Sequence, residues 1–268
     1  MSNNDKFMVI GLVGAKGAGK DSVADIAIEK FRADRKIHIT DPFKEKILKG
    51  VFEFSDKNIY DAKGKDEFIP NDIILTHRVL RKTLRAVCES YNDVFGRVIK
   101  SYYDVALSQW ENTKFVAGKS TYRDVARFLS TDVIRKIIPD WHITVASPNI
   151  PLSGVTFIPD IRFKNECDSL NQRFGDKFKL VYVKNKNAEE KAGDHPTEQL
   201  FRDLGDIEHY VLENEGKSLK VLEAEAANVM AELMGSKKAK VKEKRGGKQN
   251  NESQRDITAE ALPSGGNI

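Results

Sequence analysis

The sequence predicts an α/β protein whose doubly wound, parallel sheet of five strands carries a helical insert between its second and third strands. Three observations predict this class. Short apolar runs alternate with segments of helical periodicity, a glycine-rich loop follows the first apolar run, and a long, mostly helical stretch separates the second run from the third. Alternating strands and helices favour a parallel sheet that helices cover on both faces.

Five apolar runs are the predicted strands. The first covers residues 7–13 and is apolar almost throughout, as expected for a strand that is buried on both faces. The other four are shorter and cover residues 36–39, 155–158, 180–183 and 210–212. Apolar residues at helical spacing predict helices between the strands, over residues 44–52, 164–174 and 219–233.

The predicted insert covers about residues 43–151 and interrupts the alternation of strands and helices. Its clearest helical patterns lie at residues 77–100 and 122–138. A gap of this length between two strands of one sheet indicates an inserted subdomain. We therefore predict one domain over residues 1–234, which includes this insert, and a separate tail over residues 235–268.

The net charge of +4 belongs to that tail. Residues 235–268 contain eight Lys and Arg residues and four Asp and Glu residues, so the rest of the chain is neutral. The tail has no aromatic residue and no periodicity, which predicts disorder. A neutral body does not favour a basic, nucleic-acid-binding surface. A nucleic-acid-binding module that works through the tail stays open as an alternative function.

Composition also limits the location of the protein. No apolar run approaches the roughly 20 residues that a membrane-spanning helix needs, and the N-terminus lacks the charged and apolar regions of a signal peptide. Cys88 and Cys167 are too few for a disulfide framework and do not have metal-ligand spacing. We expect a cytoplasmic protein with no membrane partner.

The glycine-rich loop has the P-loop spacing Gly14-x4-Gly19-Lys20 and lies where a P-loop must lie, after a strand and before a helix. Glycines allow backbone N–H groups to converge on phosphate oxygens, and the helix adds its positive N-terminus. The Lys20 ammonium can neutralise the β- and γ-phosphates of ATP. We therefore predict the P-loop NTPase fold. The predicted ATP-binding residues are Gly14, Gly17, Ala18, Gly19, Lys20, Asp21 and Ser22.

The residue after the motif lysine departs from the usual P-loop. Asp21 stands where a Mg²⁺-binding Ser or Thr is common, and Ser22 follows it. Three interpretations are open: Asp21 holds Mg²⁺ through water, Ser22 supplies its hydroxyl after a small shift, or Asp21 only caps the helix. The predicted cofactor is Mg²⁺, with ATP as co-substrate.

A series of motifs resembles the bacteriophage deoxynucleoside monophosphate kinases. The loop Gly-x-Lys-x-x-Gly-Lys-Asp-Ser is followed, in the order of that family, by segments 41–45, 121–123, 129–132, 139–141, 158–166 and 195–198. The resemblance covers about residues 9–233, and its most specific parts are the Lys20-Asp21 loop ending and Asp160-x-Arg162-x3-Glu166. Two positions depart from the family, because Ser130 replaces the usual Gly and Arg127 stands where Gln is common.

The resemblance implies an enzyme, an ATP-dependent kinase that transfers the γ-phosphoryl group to a deoxynucleoside monophosphate (dNMP) in nucleotide biosynthesis for DNA synthesis. It also implies a location in the host cytoplasm if a phage encodes the chain, no specific nucleic-acid partner, and a possible homodimer. Two alternatives are a P-loop kinase of another small phosphorylated metabolite, of the phosphomevalonate-kinase or dephospho-coenzyme-A-kinase kind, and a nucleotide-hydrolysing switch or motor.

Charged residues at the end of the third predicted strand suit phosphoryl transfer on chemical grounds, independently of the family resemblance. Asp160 and Arg162 lie where doubly wound sheets bind ligands. Asp160 can orient the waters of Mg²⁺ or the acceptor, and Arg162 can bridge donor and acceptor phosphates. We predict Lys20, Asp160 and Arg162 as catalytic residues. Glu166 either shares the site with Arg162 or forms a solvated helix pair with it.

The insert is expected to hold the acceptor. Arg123, Arg127 and Thr131 recur at every fourth residue along one side of a helix; phosphate binding is favoured for Arg123, whereas Arg127 suits phosphate binding and solvation equally. Trp141 and Phe43 are candidates to stack on a base, and a core position is an equal alternative for Phe43. The predicted substrate-binding residues are Lys16, Lys44, Arg123, Arg127, Thr131, Asp132, Trp141, Asp160, Arg162 and Glu166.

The resemblance adds two expectations. In that family the position of Lys16 contacts the monophosphate, and nucleoside monophosphate kinases have a mobile lid after the fourth strand. The polar residues 184–193 occupy this point of the sequence. His195, directly before a proline, is expected to anchor the lid rather than to catalyse, because phosphoryl transfer depends on positioning and charge neutralisation.

Overall fold

The structure is a computed structural model that describes residues 7–90, 108–193, 195, 198–215 and 218–233. The predicted tail and the second part of the predicted helix 77–100 lie outside the described residues. Within the described ranges, no helix combines the length and the apolar character that crossing a membrane requires.

The described residues contain seven strands: β1 (Met8–Val13), β2 (Arg35–Lys36), β3 (Ile73–Ile74), β4 (Lys114–Phe115), β5 (Val155–Ile158), β6 (Phe178–Lys184) and β7 (His209–Glu213). Five of them form one parallel sheet in the order β2-β5-β1-β6-β7. In the centre of the sheet, Val9 of β1 lies opposite Thr156 of β5 and Phe178 of β6. The predicted α/β class and the five-stranded parallel sheet are confirmed.

Helices cover both faces of this sheet. Helices Lys20–Phe31 and Leu219–Leu233 pack on one face, and helices Trp141–Ala146 and Lys164–Phe174 pack on the other. Residues 9–13 of β1 are all buried, which explains why the first apolar run is almost continuous. The predicted helices 164–174 and 219–233 have the predicted bounds.

Strand β2 ends earlier than predicted. The apolar pattern predicts a strand over residues 36–39, but the strand covers Arg35–Lys36. The backbone N–H groups of Ile39 and Thr40 donate to the side chain of Asp160, at 2.9 and 3.1 Å, and so do not continue the ladder of the sheet. A long-range contact from a side chain therefore ends the strand.

The residues between β2 and β5 build an apolar cluster of their own. Their α-helices include Asp41–Phe43, Asp56–Tyr60, His77–Glu89, Tyr122–Arg127, Arg135–Ile137 and Trp141–Ala146. Two of these continue as π-helices, Lys44–Lys49 and Phe128–Ile134, and 3₁₀ turns lie at Gly64–Asp66 and Ser147–Asn149. Strands β3 and β4 pair antiparallel beside the helices, although only helices were predicted for this region.

The two aromatic residues proposed to stack on a base belong to this cluster. Trp141 is fully buried, and its indole N–H donates to the Val87 carbonyl at 3.1 Å. Phe43 is also buried, and its ring packs edge-on against that of His142. Base stacking by Trp141 is thus wrong, and Phe43 takes the core position that was its alternative.

Candidate active site

The glycine-rich loop, residues 14–20, lies at the carboxyl end of β1, in the centre of the sheet. The connection that leaves β1 passes β5 to reach the edge strand β2, whereas the connection that leaves β5 passes β1 to reach β6. The helices that follow these two strands, Lys20–Phe31 and Lys164–Phe174, cover opposite faces. In open parallel sheets, ligands bind in the crevice where neighbouring connections diverge in this way.

Two glycines of the loop, Gly14 and Gly17, are required for different reasons. Gly14 and Gly17 have φ angles of 154° and 82°. A Cβ atom on Gly14 would lie 2.4 Å from the Val183 carbonyl oxygen in β6, whereas a Cβ atom on Gly17 would meet nothing within 4 Å. Packing and conformation both require Gly14, and conformation alone requires Gly17.

Replacing Gly14 with alanine is expected to lower the free energy of unfolding by about 3 kcal/mol, and replacing Gly17 by about 1 kcal/mol. Both variants place an L-residue at positive φ, but only Gly14→Ala also pushes a methyl group into β6. Urea unfolding of the full chain, followed by circular dichroism, measures the two losses. Equal losses would contradict the close approach of the loop to β6.

Asn214, directly after β7, holds the loop from a second side. Its side-chain amide donates to the Ala18 carbonyl at 2.7 Å, and its backbone N–H donates to the Lys184 carbonyl at 2.8 Å. Sequence reasoning missed this residue, because 196 positions separate it from Ala18. Its position near the carboxyl end of a predicted strand was the available signal.

Lys20 is buried inside the loop. It is only 8% exposed, and its ammonium donates to the carbonyl oxygens of Gly14 at 2.7 Å and of Ala15 at 2.8 Å. Burial, followed by the charge of Arg162, lowers the pKa of Lys20 to about 8. The Lys20 ammonium and the Arg162 guanidinium therefore repel each other where little water screens their charges. An anion bound between them would stabilise both.

The burial of Lys20 makes stability depend on pH in a definite direction. The pKa of Lys20 is about 8 in the folded chain, against an ordinary value of 10.5. Between these values the unfolded chain binds more protons than the folded chain. The contribution of Lys20 to the free energy of unfolding therefore rises with pH across this window.

We expect the natural chain to gain about 1–3 kcal/mol of stability relative to Lys20→Met as the pH rises from about 7.5 to about 10.5. The comparison with the variant removes the effect of all other titrating groups. Urea titrations at several pH values, without nucleotide, measure the difference. If the difference stays constant, Lys20 is not a buried cation at neutral pH.

Asp21 does not cap the helix that follows the loop. Gly19 occupies the N-cap position, and no side chain of the described residues caps this end. The Asp21 carboxylate lies 3.0 Å from Nε2 of His38, and this hydrogen bond lowers the pKa of Asp21. The cap interpretation is thus wrong, and the two Mg²⁺ interpretations stay predictions.

The donor set beside the loop fits a magnesium ion that has few protein ligands. Asp21 and Ser22 are both exposed and carry oxygen donors, which Mg²⁺ prefers. In the part of the chain that the structure describes, no group of three or more His, Cys, Asp or Glu side chains is arranged to hold a metal. Such an ion would be held by one or two protein oxygens, phosphate oxygens and water.

Asp160, at the end of β5, ties two strand ends together. Its Oδ1 accepts from the Ile39 N–H at 2.9 Å, and its Oδ2 accepts from the Thr40 N–H at 3.1 Å and the Thr40 hydroxyl at 2.7 Å. Asp160 is buried, with 7% of the residue exposed. Asp160 therefore positions the turn after β2. Burial lowers the pKa of Lys20, and the charge of Asp160 opposes a small part of that shift.

Glu166 is fully buried beneath the segment that carries Arg162. Its Oε2 accepts from the backbone N–H groups of Arg162 and Phe163, at 2.8 and 3.1 Å, and its Oε1 accepts from Arg135 at 2.5 Å. The interpretation of Arg162 and Glu166 as a solvated pair is therefore wrong. Direct substrate contact by Glu166 is also wrong, because the residue is 0% exposed. Glu166 instead positions the backbone of Arg162. Burial raises the pKa of Glu166, and the Arg135 charge opposes this shift.

The pair of Arg135 and Glu166 joins the insert to the sheet. Arg135 follows the π-helix Phe128–Ile134, is 8% exposed, and has its guanidinium 4.1 Å from the ring centroid of Phe163. Sequence reasoning missed Arg135. Its partner Glu166 lies on a different helix, and the periodicity of one helix does not reveal contacts with another. The pair therefore connects the helical segment that carries the predicted acceptor residues to the backbone of Arg162.

No protein-family model matches this chain, and no curated protein matches it either. The resemblance of its motifs to the bacteriophage kinases therefore stays a prediction.

Two predicted acceptor residues, Arg123 and Lys44, are cationic side chains of the insert. Arg123 donates to both carboxylate oxygens of Asp66, at 2.5 and 3.1 Å. The Lys44 ammonium lies 2.7 Å from Asp41 Oδ1 and 5.2 Å from the ring centroid of Tyr60. Both cations are thus held by neighbouring side chains at the surface of the insert.

Lys16, in the glycine-rich loop, acts electrostatically on Asp66, the partner of Arg123. It is exposed within the glycine-rich loop. The hydrogen bond from Arg123 is the main cause that lowers the pKa of Asp66, and the charges of Lys16 and Lys65 add to it. The cations of the loop and of the insert therefore act on one carboxylate.

The other predicted acceptor residues lie further along the same helical segment. Arg127 is exposed and lies 3.3 Å from Asp124, which agrees with its solvated alternative. Thr131 is half-buried, and its hydroxyl has no hydrogen-bond partner among the described residues. Asp132 lies 3.9 Å from the ammonium of Lys136.

The predicted lid contains a short helix, Lys186–Glu190. Asn185 caps this helix by accepting from the Ala188 N–H at 3.0 Å. Beyond it, the pKa of His195 is lowered by burial and then by the charge of Arg127, whereas Asp132 raises it. His195 is thus within electrostatic range of Arg127 and Asp132, two of the predicted acceptor residues. Anchoring by His195 stays a prediction.

Proposed function

We propose that the protein is a kinase of the P-loop NTPase fold that transfers the γ-phosphoryl group of ATP to a dNMP, which yields ADP and the deoxynucleoside diphosphate. The observation that carries the proposal is the buried ammonium of Lys20, enclosed by the glycine-rich loop and influenced by the charge of Arg162. This is the environment that a transferring phosphoryl group needs.

The distribution of positive charge supports two phosphate sites rather than one. Lys20 and Arg162 lie where the sheet connections diverge, and Lys44 and Arg123 lie in the insert. Lys16 belongs to the loop, but its charge acts on Asp66, the partner of Arg123 in the insert. A donor triphosphate at the loop and an acceptor monophosphate towards the insert would use both groups.

The reaction would be an in-line displacement at the γ-phosphorus. An oxygen of the acceptor phosphate forms the new P–O bond, and the bond between the γ-phosphorus and the β–γ bridging oxygen breaks, so ADP leaves with that oxygen. No strong general base is required, because the attacking oxygen is already anionic. Lys20 and Arg162 would stabilise the charge of the transferring group.

Magnesium, when bound through Asp21 or Ser22, would neutralise phosphate charge. Glu166 would hold the backbone of Arg162 in place. The predicted lid, residues 184–193, would help to exclude water, which otherwise competes as acceptor.

A panel of acceptors tests the proposal. ADP release is measured by a coupled assay with dAMP, dCMP, dGMP and dTMP, with their ribonucleotide forms, and with phosphomevalonate and dephospho-coenzyme A. We expect ADP and deoxynucleoside diphosphate to form in equal amounts with at least one dNMP. Inactivity towards all dNMPs would refute the proposal. Activity only with another phosphorylated metabolite would favour the alternative kinase, and ADP release without an acceptor would favour a hydrolase.

A further inference from the structure

The 3₁₀ turn Gly64–Asp66 in the insert is held by hydrogen bonds and by close packing. The Gly64 N–H donates to Asp61 Oδ1 at 2.6 Å, and the Asn58 side-chain amide donates to the Gly64 carbonyl at 3.3 Å. A Cβ atom on Gly64 would lie 2.3 Å from the Lys57 carbonyl oxygen. The turn is therefore packed against helix Asp56–Tyr60 without space for a side chain at Gly64.

Two predicted acceptor cations act electrostatically on this turn. At its end, Asp66 receives two hydrogen bonds from Arg123. The Lys44 ammonium lies 5.2 Å from the ring centroid of Tyr60, in the helix Asp56–Tyr60 against which the turn packs. The charges of Lys44 and Arg123 both act on Lys65, the middle residue of the turn, to which the sequence analysis assigned no role.

Lys65 differs from its neighbours in having no counterion in contact. Lys44 pairs with Asp41 and Arg123 with Asp66, but within the described ranges no hydrogen bond or ion pair is made by the Lys65 ammonium. The residue is nevertheless half-buried. Burial, followed by the charges of Lys44 and Arg123, lowers the pKa of Lys65. A half-buried cation among cations is unfavourable until an anion binds.

The turn is also electrostatically connected to the glycine-rich loop. Among the charges that act on Lys65 is the carboxylate of Asp21, in the first turn of the helix after the loop. The charge of Lys16 in the loop acts in turn on Asp66. Lys65 is thus a cation of the insert within electrostatic reach of the donor site.

We propose that Lys65 binds the phosphate group of the acceptor nucleotide, beside Arg123, and that the turn Gly64–Asp66 is part of the acceptor site. This inference rests on the proposed function and adds a binding residue to it. The ammonium supplies a point charge to the phosphate, and the turn keeps it in place before the nucleotide arrives.

The test compares Lys65→Gln with Lys63→Gln in the full chain. Lys63 is exposed and directly precedes the same turn, so its variant removes the same charge without the half-buried position. Isothermal titration calorimetry measures the Kd of each dNMP and of its deoxynucleoside, which lacks the phosphate. The coupled assay measures KM for dNMP and for ATP.

We expect Lys65→Gln to weaken dNMP binding and to raise its KM by about tenfold, with no change for the deoxynucleoside or for the KM of ATP. Lys63→Gln is expected to stay within about twofold of the natural chain, as for exposed charges. Lys65→Arg, which keeps the charge, is expected to recover most of the affinity. These differences between ligands exclude a general loss of folding.

An unchanged Kd and KM for dNMP in Lys65→Gln would overturn the inference and leave the proposed function intact. An equal loss for the deoxynucleoside would also overturn it, because the lysine would then not read the phosphate. A rise in the KM of ATP instead would assign Lys65 to the donor. If the natural chain neither binds nor phosphorylates any dNMP, the proposed function itself fails, and this inference fails with it.

Discussion

Replacing Lys20 with alanine is expected to lower kcat for dNMP phosphorylation by about a thousandfold. The ammonium is buried in the loop and bonded to the carbonyl oxygens of Gly14 and Ala15, so its position is set before ATP arrives. A preorganised charge acts most strongly in the transition state, when charge develops on the bridging oxygen. The coupled ADP assay with the best dNMP measures the effect.

Lys30→Ala is the matched control for this prediction. Lys30 lies in the last turn of the same helix and is exposed, so its loss is expected to leave kcat within about twofold. Circular dichroism and thermal unfolding check that Lys20→Ala is folded. A folded Lys20→Ala protein with natural turnover would remove Lys20 from the mechanism and with it the observation that carries the proposed function.

Replacing Glu166 with alanine is expected to lower the free energy of unfolding by about 3–5 kcal/mol. The change leaves the guanidinium of Arg135 buried without its counterion, and it removes the acceptor of the Arg162 and Phe163 N–H groups. Because the same groups position Arg162, we also expect kcat to fall. Urea unfolding and the coupled assay measure the two losses.

Asp168→Ala is the control for Glu166. It breaks the exposed Lys164–Asp168 pair in the same helix, and such pairs contribute only about 0–1 kcal/mol. Glu166→Gln, which keeps an acceptor for the backbone N–H groups, separates the positioning role from the charge. A loss below about 1 kcal/mol for Glu166→Ala would contradict the role of the buried pair.

The parallel sheet was predictable because its signals are local. A strand that is buried on both faces must be apolar along its whole length, and β1 has this composition from end to end. Helices Lys164–Phe174 and Leu219–Leu233 each keep one apolar face, so their bounds followed from periodicity. The antiparallel pair of β3 and β4 left no such pattern, because each strand has only two residues.

Prediction failed where an apolar or charged residue suits two environments equally well. Trp141 has the chemistry of a base-stacking residue and of a core residue, and only its full burial decides between them. Asp21 is equally suitable as a helix cap and as a partner of His38, and the position of Gly19 decides that case. Composition and spacing do not distinguish such pairs of roles.

The sequence by itself determined the α/β class, the parallel sheet and the loop at the end of β1, because each depends on residues that are close in the chain. Only the tertiary structure decided what surrounds that loop. Asp160 reaches Ile39 and Thr40 across 121 and 120 positions, and Asn214 reaches Ala18 across 196. Contacts over such separations follow from packing, which a local pattern does not encode.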